Sequence, residues 1–329
     1  MAGKVDDETL VTAVFERTGA NDERVLQGPA IGEDAAAIDV PAGTLLVSSD
    51  PISLAASHAG TLGVHVACND VAAAGGDPAW LTVTCLLAND DTNILETIVP
   101  DLHDAASAID VSIVGGHTEY VDALERPILS LTALGFADPH VPTGGANAGD
   151  RVVLAGPAGL EGTAVLASDF GETLAVPDDD LDDAEAFLDE ISVLPAARAI
   201  RTYASAMTDP TEGGIAGGLV ELATASGVHL AIERDSIPVR SVTDRLCKAA
   251  GVDPLRIFGS GALLATVPPD AVDPALDALA AVYVEGSIIG TVFEPTDAEG
   301  AVELDGEPLE TPVEDDLYAL WEHADSANE

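Results

Sequence analysis

The most constraining feature of the sequence is a segment from His58 to Ala74 that carries very few polar side chains. Within it and up to Gly76, these are His58, Thr61, His65, Asn69 and Asp70. A helix that is apolar on every face is buried, and a buried carboxylate is costly unless it is paired or binds a metal. The chain must therefore form a core that encloses this helix, and Asp70 is a candidate metal ligand. The alternative is that Asp70 reaches solvent at the helix end.

The remaining composition permits such a core. Of the 329 residues, 47% are hydrophobic and only 4% aromatic, and this length suits one large or two medium domains. Apolar runs are interrupted well before the roughly 20 residues of a membrane span, and the first residues lack a secretion signal. Cys68, Cys85 and Cys247 have no metal-type spacing and are expected to be buried thiols. We therefore expect a cytoplasmic protein without membrane contact.

The charge balance is strongly acidic. The sequence has 58 acidic and 12 basic residues, a net charge of −46, and its only lysines are Lys4 and Lys248. Because phosphate contacts need Lys and Arg, a nucleic-acid partner is not expected. An acidic patch for a basic partner and a halophilic surface are the two interpretations. The acids are scattered, with dense runs only at 178–183 and 314–316, which favours the halophilic surface.

Hydrophobic patterns predict strands and helices in both halves of the chain. In the first half we predict helices at 6–18, 58–74 and 94–109, and strands at 36–40, 44–49, 80–88, 111–114 and 127–136. A Gly- and Asn-rich linker is predicted at 142–150. In the second half we predict strands at 151–155, 229–233, 262–267 and 286–292, an acidic loop at 178–183, and helices at 184–203, 214–226, 242–250, 271–282 and after 312. The pattern predicts an α/β or α+β protein with domains at 1–145 and 150–329.

Four short segments combine carboxylates with glycine. The first, Gly32-Glu33-Asp34, places two acids before a buried strand, although acidic turns before strands are also common without any site. The second is Asn69-Asp70 in the apolar helix. Both segments are candidates for binding a cation.

The third segment, Gly115-Gly116-His117-Thr118-Glu119, follows a predicted apolar strand. Paired glycines let a phosphate approach the backbone closely, and strand ends are where α/β folds place binding groups. A single histidine is more often structural than a ligand. Its neighbour Glu119 nevertheless makes a role as base or metal ligand a hypothesis for this pair.

The fourth segment runs from Thr208 to Gly214, directly before a predicted helix. One interpretation is that Asp209 or Thr211 only caps that helix. The other is that the backbone amides of Gly213 and Gly214 bind an anion at the helix start.

Hard oxygen ligands in these segments suit Mg²⁺, which usually takes one or two carboxylates together with substrate phosphates. The candidate metal ligands are Asp34, Asp50, Asp70 and Asp209, of which Asp50 follows a predicted apolar strand. The sequence contains no Walker A, GxGxxG or HExxH motif and no serine nucleophile elbow. A standard nucleotide loop is therefore not the basis of the expected site.

Taken in order, the four segments resemble the aminoimidazole ribonucleotide (AIR) synthase superfamily. This superfamily includes AIR synthase, the formylglycinamidine synthase large subunit, thiamine-monophosphate kinase, selenophosphate synthetase and the hydrogenase maturation factor HypE. The segment 31–36 is similar to its Gly-Asp-Asp-Ala-Ala turn, with Glu33 in place of the first Asp. The segment 209–214 is most similar to Asp-Pro-Thr-Arg-Gly-Gly of HypE, and 236–240 and 267–269 also resemble HypE.

The resemblance implies a PurM-like fold with ATP and Mg²⁺ bound between two domains. The N-terminal strands would form a barrel with the partner in a homodimer. Implied nucleotide contacts are Lys4, Gly32, Asn69, Gly115, Gly116, Thr118, Thr211, Gly213 and Gly214; implied catalytic residues are Asp70, His117 and Glu119. For Lys4, a plain surface lysine is the equal alternative. The implied reaction is phosphorylation of an oxygen of a small-molecule substrate by ATP.

Three departures bear on the activity. His117 stands where relatives carry an acid, and Glu212 stands where HypE carries a basic residue. HypE carries a reactive cysteine at its C-terminus, whereas the last cysteine here is Cys247, so the HypE reaction itself is not expected. A HypE-like enzyme for another substrate, a thiamine-monophosphate kinase-like phosphotransferase and a non-catalytic ATP-binding factor remain as alternatives. The Asp-Pro-Thr segment argues against the kinase.

Overall fold

The computed structural model describes residues 7–15, 17–53, 58–88, 93–295 and 300–328. Lys4 and the start of the helix predicted at 6–18 therefore lie outside the described residues. The described part of that helix consists of α1 (Asp7–Thr9) and a π-helical turn at Leu10–Phe15. The predicted helix is thus found only as far as Phe15.

The first half of the chain forms a six-stranded sheet. Its strands are β1 (Val25–Gln27), β2 (Ala36–Val40), β3 (Gly43–Ile52), β4 (Gly76–Leu87), β5 (Ser112–Tyr120) and β6 (Ile128–Ala137), in the order β1-β2-β3-β6-β4-β5. Only β4 and β5 are parallel to each other. Alternate residues of β4 and β6 are buried, including Leu81, Leu129 and Leu131, as expected for a sheet with one covered face.

The apolar segment forms helix α2 (Ala59–Ala73), which packs on β3, β4 and β6 beside α3 (Asn93–Ala108). Gly60 permits this arrangement, because a Cβ there would lie 2.8 Å from the backbone of α3. The helix ends before Gly75, which adopts a positive φ of 86°. The prediction of a buried helix at 58–74 is confirmed.

The second half forms a seven-stranded sheet. Its strands are β7 (Arg151–Ala155), β8 (Ala206–Thr208), β9 (His229–Ile232), β10 (Leu263–Val267), β11 (Gly286–Phe293), β12 (Ala301–Leu304) and β13 (Glu307–Pro308), in the order β13-β12-β9-β11-β7-β10-β8. Its helices are α4 (Leu160–Phe170), α5 (Asp178–Glu185), α6 (Leu194–Ile200), α7 (Gly214–Ser226), α8 (Ser241–Ala250), α9 (Val272–Ala281) and α10 (Asp316–Asn328). The mixed α/β fold predicted from the sequence is confirmed.

Strand β7 is buried on both faces, which makes this sheet a central layer. Val153 packs into the same core as α2 and α6, whereas Val152 packs into a second core with α7. Helix α6 also contacts the first sheet, because Arg198 and Arg201 bind the Asp77 carboxylate at 2.6 and 2.9 Å. The two sheets are therefore joined by shared apolar packing and by charged contacts.

Two secondary-structure predictions in the second half of the chain were wrong. The acidic run at 178–183 is not a loop but lies in α5, where three aspartates in the first turn favour the positive helix N-terminus. The predicted helix at 184–203 is divided into a 3-10 turn at Ala186–Glu190 and α6, which has Pro195 in its first turn. In the described part of the chain, no helix is long and apolar enough to cross a membrane.

Candidate functional site

Four aspartates converge where the two sheets meet. Asp50 lies on β3, Asp70 on α2, Asp34 in the turn before β2, and Asp209 directly after β8. The prediction that Asp50 follows its strand was wrong, because the pairing of β3 with β6 extends to Ile52. Asp50 nevertheless influences both Asp70 and Asp209 electrostatically, so the four carboxylates form one cluster, referred to below as the carboxylate cluster.

Ser48 connects two members of the carboxylate cluster. Its hydroxyl contacts Asp70 Oδ2 and lies 3.0 Å from Asp50 Oδ2. Because a hydroxyl carries a single proton, it cannot donate to both carboxylates at once. The other carboxylate must therefore carry a proton of its own, or its charge must be neutralised by a positively charged group.

Thr208 and Thr143 hold the other side of the cluster. The Thr208 hydroxyl donates to Asp34 Oδ1 at 3.1 Å, and the Thr143 hydroxyl lies 3.4 Å from Asp34 Oδ2. Asp209 is only 3% exposed, and neither of its carboxylate oxygens accepts a hydrogen bond from another residue. The backbone amide of Asp209 itself lowers the pKa of the carboxyl, but burial outweighs it. A buried carboxylate without a donor from another residue is rare, because most of its desolvation remains uncompensated.

Electrostatics within the cluster favour the neutral form of both buried acids. Burial raises the pKa of Asp70 well above its usual value, and the charge of Asp50 raises it further. Burial also raises the pKa of Asp209 well above its usual value, with the charge of Asp34 as the next cause. The charged groups that act most strongly on Asp70 and Asp209 are all carboxylates. A cation bound among these carboxylates would favour their charged forms.

The cluster fits Mg²⁺ as part of a nucleotide complex better than as a free ion. Within the described ranges, no three His, Cys, Asp or Glu side chains are arranged to hold a metal ion by themselves. Mg²⁺ commonly keeps several waters and takes one or two carboxylates plus substrate phosphates. The unpartnered oxygens of Asp209 and the hard carboxylate donors around them suit that mode of binding.

Asn69 does not point to an open nucleotide site. Its amide donates to the Ile191 carbonyl at 2.8 Å, and its oxygen accepts the Val193 amide at 2.9 Å. The side chain is fully buried. The structure thus gives Asn69 the role of fastening α2 to the segment before α6, next to the carboxylate cluster.

The turn at Gly32 also has a structural role, because it packs against α7 and its neighbour Glu33 binds two backbone amides. Gly32 adopts a φ of 75°, and a Cβ there would lie 2.9 Å from the Glu221 carbonyl of α7. Glu33 accepts the backbone amides of Thr143 and Gly144 at 3.3 and 3.1 Å. Glu33 therefore fixes the 3-10 turn at Thr143–Gly145, within the predicted linker, while Asp34 faces the cluster.

The start of α7 does not present the anion site predicted from the sequence. The Gly213 amide donates to Asp315 Oδ2 at 2.9 Å, and the Gly214 amide donates to the Thr211 carbonyl at 3.0 Å. The Ala216 amide donates to the Leu255 carbonyl at 2.9 Å. Since these donors already have acceptors, the predicted phosphate contacts of Gly213 and Gly214 are corrected to internal hydrogen bonds.

The segment from Gly115 to Glu119, including Thr118, lies within β5 rather than after a strand. Pairing with β4 continues to Tyr120, and Gly116 is required because a Cβ there would lie 1.9 Å from the Val83 carbonyl. The side chains of His117 and Glu119 are 66% and 55% exposed, with His117 Nε2 and Glu119 Oε2 3.3 Å apart.

Within one chain, this pair is separated from the carboxylate cluster. The register passes from Asp50 through β6 and β4 to Gly116, which is three strand spacings, or roughly 14 Å. The structure therefore brings Asp34, Asp50, Asp70 and Asp209 together, but it does not bring His117 and Glu119 to them.

Comparison with known proteins gives matches over both halves of the chain. The AIR synthase related protein family matches residues 32–137 with its N-terminal domain and residues 147–303 with its C-terminal domain. Carbamoyl dehydratase HypE of Bradyrhizobium diazoefficiens is 30% identical over 83% of this chain and 79% of its own length.

Two further matches concern nucleotide-dependent proteins. Thiamine-monophosphate kinase of Halobacterium salinarum is 29% identical over 84% of this chain and 92% of its own length. The crystal structure of the hydrogenase maturation protein HypE in complex with ATP has a TM-score of 0.69 and 26% identity, covering 95% of this chain and 96% of that chain.

Proposed function

This chain is a member of the AIR synthase related protein family, and on that premise we propose that it binds Mg²⁺–ATP at the carboxylate cluster and phosphorylates an oxygen of a small substrate. The observation that carries the proposal is the pair of buried, unpartnered carboxylate oxygens of Asp209. The ATP complex of the similar HypE protein supports the choice of nucleotide.

The proposal draws the metal ligands from the carboxylate cluster. Asp34, Asp50, Asp70 and Asp209 are the carboxylates from which Mg²⁺ would take its one or two protein ligands, and the ion would neutralise negative charge on the phosphates. Metal ligands bind in the deprotonated form, so a bound Mg²⁺ would oppose the raised pKa values of Asp70 and Asp209. The Ser48 hydroxyl can then donate to whichever of its two carboxylates keeps a free oxygen.

The acceptor is proposed to be a diffusible molecule rather than a cysteine of this sequence. Cys68, Cys85 and Cys247 are all buried. Burial raises the pKa of Cys247 to about 12, and the same cause raises the pKa of Cys68 to about 12. A thiol of this kind is unreactive near neutral pH.

Calorimetry with ATP in the presence and absence of MgCl₂ tests the proposal. We expect one site per chain that binds ATP only in the presence of Mg²⁺. We also expect protons to be released on binding, so that the measured heat of binding differs between buffers. Absence of binding in both conditions would overturn the proposal.

A thiamine-monophosphate kinase is the second candidate, because the Halobacterium salinarum relative with that name matches this chain over 92% of its own length. Labelled γ-phosphate from ATP separates the activities. Label appearing on thiamine monophosphate would support the kinase. Label on another acceptor, or free phosphate expelled from that phosphorylated acceptor in a later step, would support the first proposal. Binding without any turnover would indicate a non-catalytic factor.

We also propose a homodimer built on the first sheet. The helices α2 and α3 cover one face of this sheet, while Trp80 on the other face is 39% exposed. The edge strand β5 exposes Ile113, Val114 and Tyr120 by 42%, 59% and 47%. An unpaired edge with apolar side chains is a surface for strand pairing.

Light scattering in high salt should give about twice the chain mass of 33.4 kDa. Val114→Asp, on β5, should produce a folded monomer, because it places a charge in the proposed interface. Val99→Asp is the control, since Val99 is 53% exposed on α3, which covers the opposite face of the sheet. A monomeric wild-type protein at micromolar concentration would contradict the dimer.

A further inference from the structure

Asp315 connects the C-terminal helix α10 to the loop that carries Asp209. Its side chain is buried, and its Oδ2 accepts the Gly213 amide at 2.9 Å. Its Oδ1 accepts the Leu317 amide at 3.0 Å, in the first turn of α10. A single carboxylate therefore caps two helices, α7 and α10, that are about a hundred residues apart in sequence.

The helix that presents Asp315 is itself firmly packed. Leu317 is fully buried, and Tyr318 meets the Phe258 ring edge-on with centroids 6.1 Å apart. Trp321 lies 6.2 Å from the same ring. Aromatic packing of this kind fixes the position of α10, so Asp315 is presented from a rigid support.

The same packing holds the loop from its other side. Phe258 precedes Gly259, whose amide donates to the Thr211 carbonyl at 3.0 Å. Gly213 adopts a φ of 76°, and a Cβ there would lie 3.3 Å from Val313. The loop between Asp209 and Gly214 is thus held between the segment before β10 and the segment before α10, with Asp315 as its charged contact.

The surroundings of Asp315 are acidic. Burial raises the pKa of its carboxyl to about 7, the amides of Leu317 and Gly213 lower it, and the charges of Glu161 on α4 and Glu212 in the loop raise it. On α10, the neighbouring Asp316 is 3.5 Å from Arg256, and Tyr318 is uncharged near neutral pH because burial raises its pKa. The Asp315 carboxylate therefore keeps its hydrogen bonds to the Gly213 and Leu317 amides, although burial and the nearby glutamates disfavour its charged form.

We propose that Asp315 is a positioning residue for the nucleotide site: its carboxylate holds the 209–214 loop so that Asp209 faces the carboxylate cluster. This inference rests on the proposed binding of Mg²⁺–ATP to Asp209. It adds a residue from a distant part of the chain that contacts neither the cluster nor the nucleotide. It also explains why the amides at the start of α7 donate to protein acceptors. In this proposal the metal, and not the start of this helix, would bind the phosphates.

The test is Asp315→Asn, which keeps the shape of the side chain but leaves a single oxygen to accept two amides. At pH 8 we expect the Kd for Mg²⁺–ATP to rise about tenfold, the effect of losing a hydrogen bond to a charged group. Because burial raises the pKa of the wild-type carboxyl to about 7, its charge is reduced at pH 6, and the two affinities should differ less there. A loss that is equal at both pH values would overturn the proposal and indicate a purely structural role.

Asp316→Asn is the matched control. Asp316 accepts the Asp253 amide at 2.9 Å and pairs with Arg256, neither of which belongs to the 209–214 loop. We expect this variant to bind Mg²⁺–ATP with the wild-type affinity at both pH values. An equal loss in both variants would also contradict a specific role of Asp315.

Hydrogen exchange without nucleotide separates this inference from the proposed function. Asp315→Asn should speed exchange of the Gly213 amide at least about tenfold at pH 8, because its acceptor is weakened, while amides of α2 should remain unchanged. Unchanged exchange at Gly213 would overturn the tether whether or not the protein binds ATP. Faster exchange in a variant that binds Mg²⁺–ATP like the wild type would overturn the positioning role alone.

Discussion

Asp209→Asn is expected to stabilise the nucleotide-free protein and at the same time to weaken Mg²⁺–ATP binding more than about 100-fold. The gain in stability arises because the wild-type protein buries a carboxylate whose oxygens have no donor. The loss of binding arises because the amide carries no charge for the metal. Opposite effects of one substitution on stability and binding would mark Asp209 as a functional residue rather than a structural one.

The pH dependence of this stabilisation has a defined sign. The folded pKa of Asp209 is raised above its ordinary value of 3.8, so ionisation disfavours the folded state at higher pH. The stability from the neutral form is complete below the unfolded pKa and is lost as pH rises through the folded pKa. The advantage of Asp209→Asn over wild type should therefore be larger at pH 8 than at pH 5, measured by thermal unfolding without Mg²⁺.

Asp182→Asn is the appropriate control for that experiment, since Asp182 is exposed on α5. Its neighbour Asp180 is unsuitable, because it is buried and accepts two hydrogen bonds from Arg245 at 2.7 and 2.6 Å. Asp70→Asn should change stability and binding in the same directions as Asp209→Asn. A less stable Asp209→Asn protein with unchanged affinity would contradict the assignment of the site.

The sequence pointed to three aspartates of the candidate site because each of them combines a local pattern with an unusual position. Asp70 is an acid in an apolar helix, and Asp34 and Asp209 adjoin glycine-containing turns or loops. The hydroxyls of Ser48, Thr143 and Thr208 could not be predicted, because serine and threonine are common in strands and loops. Their role depends on contacts across the fold, such as the 3.1 Å bond from Thr208 to Asp34.

Other differences have the same physical origin. The amide of Gly213 is engaged by Asp315, which lies 102 positions further along the chain, and no local pattern reports such a contact. The paired glycines at 115 and 116 were predicted to follow the end of a strand, but the neighbouring strand β4 supplies pairing that extends β5 through them. Tertiary hydrogen bonds thus decided both cases in which local glycine content was misleading.

Dilute buffer is expected to unfold the protein, and KCl above about 1 M is expected to restore it. Even if all 12 basic residues were paired with acids, 46 of the 58 acidic residues would keep uncompensated charge. At 0.01 M salt the Debye length is roughly 30 Å, so charges repel one another across the whole surface, whereas at 1 M it is roughly 3 Å. Self-repulsion of this size opposes the compact state, and circular dichroism across a KCl series measures its effect.

Two control salts separate general screening from ion binding at the carboxylate cluster. Choline chloride screens charge like KCl, but its bulky cation does not fit among buried carboxylates, so it should restore the fold at a similar concentration. A few millimolar MgCl₂ together with ATP should stabilise the wild-type protein and should have little effect on Asp209→Asn, since a ligand stabilises only the state that binds it. Full stability in dilute buffer would contradict the halophilic interpretation. Recovery in KCl but not in choline chloride would show that bound cations, rather than screening, hold the acidic chain together.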